Sequence, residues 1–505
     1  MLKKVITAAI CLTLFTGLFG VTSQANAYGS WHFTPGSNMG GYMFDDYFSF
    51  PSFFRPNNDA CQKETCSVRD APVGHGFISY PTCSPEHVLF CVEGLSVKDS
   101  GGILRDLKFV DSQLDTTINL ELPQGNFLGG TPSIWSYSDS QGQQQYFAVS
   151  AYSGFHWANG VTSVDKLEAG VARVDRIQQR SNDCLVISAT SCYMQMDFEP
   201  ESVMTLTIKV PDTLGGFYMG RLLDANISQS PPSSDRTRLL TISGKAEIVP
   251  RLGVIAPLGT VLPDGTTVTG VGSIPDFDGG WQNVNKPQVD YAKKVSNDAA
   301  MGVNSAWRIY LMNPQQTSYS RCVNPVPQLL GWGTTNSMFY DFNPPSFANS
   351  EVNFPVSGTH YMADGHTLAK GRYEVTLNAD FVRCMNDLGS LPISATVSVI
   401  DTDSQEVVST QTVKESNGIL SLAAEGFTFS NKTVKVILPT QQPASEPLPT
   451  ASPSLTAQPT QSPDAAATIT PTPPKKITIT CVRGKTIKKV TGFLPKCPGG
   501  YRTKA

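Results

Sequence analysis

The chain has 505 residues, which at roughly 150 per domain allows two to four domains and a sizeable core. Only 16% of residues are charged, while 42 glycines and 36 prolines punctuate the sequence; this excludes coiled coils and helical repeats and favours a turn-rich β-protein. A formal net charge of −4 provides no global basic field and argues against nucleic acid as a partner.

The N-terminus reads as an export signal. Lys3 and Lys4 form a positive n-region, Val5 to Val21 is uncharged and mostly apolar, and Ala25-Asn26-Ala27 is a small-x-small cleavage site. Residues 1–27 are therefore expected to be a signal peptide, with the mature chain starting at Tyr28. The apolar stretch is short for an anchor and ends in polar Thr22-Ser23-Gln24. No later uncharged stretch reaches membrane length, so no membrane span is expected after cleavage. The expected location is extracellular or at the cell surface.

Residues 28–59 are rich in glycine and aromatics, among them Tyr28, Trp31, Phe33, Tyr42, Phe44, Tyr47, Phe48, Phe50, Phe53 and Phe54. Such a segment either packs on a sheet face or edge of the following domain or forms an aromatic contact surface. The body that follows is predicted to be all-β, with two β-sandwich-like domains at 60–250 and 251–438. Its strands are short, β-branched or aromatic, and separated by Gly, Pro, Asn and Asp turns. Alternation is clearest in Met204-Thr205-Leu206-Thr207-Ile208-Lys209-Val210, where every second residue is apolar. The same style resumes in Ala306 to Met312, Gly371 to Leu377, Ile393 to Ile400 and Lys432 to Leu438. The one modest helical candidate runs from Val289 to Ala300.

Eleven cysteines become ten once Cys11 leaves with the signal, an even number that suits an oxidising compartment. Local pairing predicts Cys61 with Cys66, Cys83 with Cys91, Cys184 with Cys192, Cys322 with Cys384, and Cys481 with Cys497. Cross-pairing among the first four stays open, because they lie close together. Zinc is disfavoured, since the spacing C-x4-C-x16-C-x7-C lacks the close CxxC pairs of ribbons and fingers.

Catalytic motifs are weak throughout. None of the six histidines sits in an HExxH pattern, although His360 and His366 share a glycine-containing loop. Asp276-Phe277-Asp278-Gly279-Gly280 starts like a calcium loop, but its fifth and twelfth positions are Gly280 and Pro287, so a turn is expected. Ser136 to Gly142 comes near a sialidase-type Asp box with the wrong Ser–Asp spacing. There is no GxSxG elbow and no phosphate-cradling glycine loop. No cofactor and no metal are implied. Glycosidase carboxylate pairs are invisible in a sequence, because their separation is spatial.

Residues 439–474 carry ten prolines and no aromatic, the composition of an extended Pro/Thr/Ser/Ala linker that does not fold. Residues 475–505 then carry nine basic residues and no acid, whereas Tyr28 to Pro474 has a net charge of −15. In the tail, Ile477 to Val482 and Thr486 to Thr491 are β-prone runs around Arg483-Gly484-Lys485, a hairpin signal. The expected unit is a small β-hairpin stapled by Cys481 and Cys497.

The tail's run Ile477-Thr478-Ile479-Thr480-Cys481-Val482-Arg483-Gly484-Lys485, with Lys488-Lys489-Val490-Thr491 and Pro495-Lys496-Cys497-Pro498-Gly499-Gly500-Tyr501, resembles the ITCVKGK…KKVT…PxCPxGY motif that ends many secreted actinobacterial proteins. The resemblance implies a secreted or surface location and brings no activity. The stretch Gly215 to Ser228 is similar to uncharacterised secreted actinobacterial proteins.

The basic tail makes anionic cell-envelope polymers its expected partner, with Lys485, Lys488, Lys489, Lys496, Arg502 and Lys504 as the candidate contacts. Two classes of function follow. The favoured one is a non-enzymatic secreted or cell-surface protein that binds a polysaccharide or another surface protein; the alternative is a secreted carbohydrate-active hydrolase whose acid and base lie among the scattered carboxylates.

Overall fold

A computed structural model of the chain describes most of residues 73–437, with gaps, and short strands at 39–44, 54–56, 477–483, 486–492 and 502–503. The expected signal peptide, residues 1–27, and the expected linker, residues 439–474, lie outside the described residues. Two compact units are present, Met1–Pro443 and Ala444–Ala505. Both are built from strands; among the described residues the helices are Lys286–Val295 and Ala379–Met385.

Alternation becomes burial in the strand Val203–Pro211, where Met204, Leu206, Ile208 and Val210 are fully buried and the residues between them are only partly covered. This strand lies between Cys91–Lys98 and Thr237–Pro257 in one sheet. The facing sheet contains Ser133–Ser138, Gln144–Ala158, Val161–Ile177 and Gly302–Met312. Between the sheets lies a first core, in which Leu95, Leu206, Ile208 and Ile242 belong to one cluster with Val149, Leu167, Trp307 and Ile309.

The strand Gly216–Gln229 belongs to both sheets. Residues 217–221 pair with Gly302–Met312, and from Leu222 onward it pairs with Thr237–Pro257. The change of sheet comes with a register shift between Leu223 and Asn226 and with Asp224 in the left-handed region at φ 56°, the kind of local bend that makes a sandwich corner. Thr237–Pro257 turns the same corner, its residues 247–251 pairing with Gly302–Met312.

A second core lies on the opposite face of these same strands. Phe217, Met219 and Tyr310 point away from the first core and pack with Phe354, Tyr373, Val375, Leu377, Leu420, Leu422 and Phe427. Their neighbours Tyr218, Trp307, Ile309 and Leu311 point into the first core. Because successive side chains of a strand face opposite ways, one layer serves two cores. From that layer the sheet continues through Leu329–Thr335, Lys370–Asn378, Ile419–Thr428 and Thr410–Ser416. A six-stranded sheet that includes Glu351–Ser357, Lys432–Ile437 and Thr396–Asp401 accompanies it.

The expected boundary at Pro250 is therefore corrected. Pro250 lies inside the strand Thr237–Pro257 and pairs with Val303. The two cores are not successive along the chain, because residues 216–221 and 302–312 build both.

Two further expectations are refined. The predicted helix at Val289 to Ala300 is observed at Lys286–Val295, and an unanticipated helix follows at Ala379–Met385, where the Asn378 side chain accepts a hydrogen bond from the Phe381 amide. The backbone of the aromatic N-terminal segment contributes strands, Met39–Phe44 pairing with Thr237–Pro257 and with Val271–Ile274, and Phe54–Pro56 pairing with Val73–Ser79.

Among the described residues, three disulfides join Cys83 to Cys91, Cys184 to Cys192, and Cys322 to Cys384. Cys61, Cys66 and Cys497 lie outside the described residues. The Cys322–Cys384 bridge spans 62 positions and ties Cys322 to the helix Ala379–Met385, whereas the other two span 8 each. Loop entropy assigns about 4 kcal/mol to the long bridge and about 2.5 kcal/mol to a short one. Urea denaturation of Cys322→Ser/Cys384→Ser is expected to show the larger loss when compared with Cys184→Ser/Cys192→Ser.

Candidate functional site

The tail forms a small sheet. Ile477–Arg483 and Thr486–Gly492 pair as a hairpin, with Arg483 opposite Thr486, and Arg502–Thr503 adds a short strand on the other side of Ile477–Arg483. Register places Lys488 opposite Cys481, Lys489 opposite Thr480, and Arg502 opposite Val482. The candidate positions 488, 489 and 502 are thus brought into one sheet, with cationic positions on both strands that flank the central one. Lys485, Lys496 and Lys504 lie outside the described residues.

In the body, His360 acquires a partner that the sequence did not offer. After the helix Lys286–Val295 the chain passes through Asn297 and Asp298, both in the left-handed region at φ 53° and 58°. The Asp298 carboxylate accepts from the His360 backbone amide at 3.1 Å and bonds the ring Nδ1. Lys293 Nζ stands 3.6 Å from the same carboxylate. Backbone bonds from Tyr361 N to Asp298 O at 3.0 Å and from Ala300 N to Tyr361 O at 2.8 Å complete a clasp between two loops. The carboxylate thereby fixes the orientation of the imidazole through Nδ1. His366 belongs to a separate turn. Its amide donates to Asp364 Oδ1 at 3.0 Å, and its side chain is 81% exposed.

The shared layer of the body carries buried charge. Arg221 is fully buried; it donates to the carbonyls of Thr335 at 3.0 Å, Met338 at 3.2 Å and Ser337, and its guanidinium lies 4.2 Å from the centre of the Tyr340 ring. Arg372 forms a two-point contact with Glu247, pairs with Glu374 at 2.7 Å, and donates to Leu222 O at 2.7 Å. Burial works against its charge, and the two carboxylates more than offset that, holding the guanidinium protonated. Arg308 pairs with Glu168 at 2.8 Å, and Glu168 also accepts from the Tyr152 hydroxyl. These groups tie together strands that sequence separates by up to 150 positions.

The remaining sequence candidates resolve into structure. Asp139 closes the hairpin between Ser133–Ser138 and Gln144–Ala158, accepting from the Gln141 and Gln143 amides at 2.9 Å each, as a turn residue does. The Asp276 to Gly280 run lies outside the described residues. Among the described residues, the cluster of potential metal ligands is Cys83, Cys91 and Glu93; its two sulfurs are joined to each other, so neither is a thiolate.

Two surface carboxylates give the body an acid-sensitive margin. The Lys209 ammonium, followed by the Ser233 and Thr237 hydroxyls, holds Asp235 well below the usual carboxylate range. The Thr367 hydroxyl, with the His366 and Thr367 amides, lowers Asp364 to about 2. Both bind fewer protons when folded than when unfolded, so their contribution is present above the ordinary carboxylate pKa near 4 and is lost as pH falls toward 2. Urea midpoints measured from pH 5 to pH 2 are expected to fall through that window, and Asp235→Asn/Asp364→Asn is expected to flatten the fall.

Compared with protein-family models and with curated protein sequences, the chain matches none.

Proposed function

We propose that this is an exported, non-enzymatic protein held at the cell envelope by its basic tail, with the β-body presented to a polysaccharide or a surface protein. The observation that carries this reading is the division of charge: nine basic residues and no acid in 475–505, behind a body, residues 28–438, of net charge −13. An anionic polymer attracts the first and repels the second. Between them lie 36 linker positions, 439–474, which at about 3.1 Å per residue reach roughly 100 Å when polyproline-like. The compact tail unit and the three disulfides of the body are consistent with a life outside the cytoplasm.

The test is co-sedimentation of the protein, and of a version ending at Leu438, with purified cell walls and insoluble polysaccharides, with released reducing sugar assayed in the supernatant. The full protein is expected to pellet at low salt and to be released by about 0.5 M NaCl, where the Debye length is roughly 4 Å. Equal pelleting of the truncated version would overturn tail retention. Heat-labile sugar release would make the body a hydrolase.

A further inference from the structure

We propose that the side wall of the first sandwich, from Ile103 to Ser112, is a self-association surface on which a second copy of this chain pairs edge to edge. This inference is independent of envelope retention.

The wall is built by a crossing between sheets. Leu104–Asp106 pairs with the edge of Cys91–Lys98, and Lys108–Ser112 then pairs with Ser133–Ser138 at the edge of the facing sheet. Leu107, between them, is buried in the first core and pins the crossing. Among the described residues, no strand pairs with the other side of Lys108–Ser112. Its outward backbone groups are therefore the template that edge strands offer to another chain.

Edges are ordinarily blunted by charge and short length. This one is short and carries Lys108 and Asp111, yet it also presents apolar side chains. Ile103 is 49% exposed, Leu104 65%, Phe109 48% and Val110 43%, four large apolar residues within eight positions. Exposed apolar clusters of this kind mark contact sites.

The occupant follows from the pattern of the strand. A register shift falls between Phe109 and Asp111, so that Phe109 lies opposite Trp135, Asp111 opposite Ile134 and Lys108 opposite Ser136, with Val110 the extra residue. Directly opposed residues share a face, and Trp135 points into the first core whereas Ile134 points the other way, into a separate small cluster with Ala148, Val174 and Tyr193. Lys108 and Asp111 consequently share one face, and Phe109 lies on the other. Without the bulge, residues three apart would fall on opposite faces.

Lys108-Phe109-Val110-Asp111 is thereby its own antiparallel complement. Across a two-fold axis normal to the sheet, Lys108 of each copy meets Asp111 of the other and Phe109 meets Val110. Opposite charges at both ends and apolar residues in the middle favour a second copy over an arbitrary strand. Such a short edge buries less than the roughly 1,200 Å² of a standard interface, so the dimer is weak, with Kd on the order of 100 µM.

The experiment is sedimentation velocity on the protein as an exporting host secretes it, from about 5 to 500 µM, a range that brackets this Kd. The expected result is a monomer that converts to dimer across that range. Val110→Lys abolishes the dimer. Lys108→Asp and Asp111→Lys each abolish it alone, and an equimolar mixture of these two restores it, because each strand then meets opposite charge at both ends. Asp111 also accepts from the Tyr193 hydroxyl at 3.3 Å; if its variant fails to fold, Val110→Lys and Lys108→Asp carry the test. A monomer at the highest concentration, or a dimer that survives both Val110→Lys and Lys108→Asp, overturns the proposal.

Discussion

Glu247→Ala is expected to destabilise the body by about 3–5 kcal/mol, the cost of breaking a buried ion pair from one side. Glu247 is 6% exposed and Arg372 9%, and the variant leaves that guanidinium in the interior with Glu374 and the Leu222 carbonyl as its remaining named acceptors. The pair also sits where architecture concentrates. Glu247 begins the part of Thr237–Pro257 that pairs with Gly302–Met312, and Arg372 comes from a strand of the second core's sheet. Urea denaturation measures the loss. A replacement by Gln, which keeps an acceptor and the shape, is expected to cost less than Ala.

Trp307→Ala is expected to cost a further large amount, about 3–5 kcal/mol, through the cavity left by a fully enclosed aromatic. Trp307 is 1% exposed in the first core, and its indole Nε1 donates to the Gly244 carbonyl at 2.9 Å across the sandwich. Trp307→Phe fills most of the volume but cannot make that bond. It is expected to recover most of the stability and to leave a deficit of about 1–3 kcal/mol from the unsatisfied carbonyl. If Trp307→Phe were as damaging as Trp307→Ala, the shape of the indole would matter more than burial.

Much of the fold is legible in local pattern. The Met204 to Val210 alternation marks a strand with one buried face, and the turn chemistry around Arg483-Gly484-Lys485 marks the tail hairpin. Cysteines eight positions apart find each other across short β-loops. The shared layer is less legible, because a proline and a change of style near residue 250 resemble a boundary while the hydrogen-bond ladder runs straight through. A usable signal was present in Phe217-Tyr218-Met219 and in Ile309-Tyr310-Leu311: consecutive large apolar residues without alternation are what a strand buried on both faces requires. Arginines inside such strands, at 221, 308 and 372, were a second signal, since charge is kept in a core strand only when partners are built around it.

The site was harder to read. His360 was visible only as one of two histidines in a loop, and its partner Asp298 lies 62 positions away. No local spacing encodes that meeting; backbone bonds between the two loops create it. The self-complementary edge was equally hidden, because Lys108 and Asp111 share a face only through a bulge that a period of two does not contain.

The central structural claim is that residues 216–222 and 305–311 bury both faces, so that the two cores of the body stand or fall together. Differential scanning calorimetry of the protein with Leu206→Ala, which lies in the first core, and with Val375→Ala, which lies in the second, tests this most directly. The account predicts one principal transition that both substitutions lower. Two separate body transitions, with each substitution lowering only one of them, would contradict it and restore a boundary between independent domains.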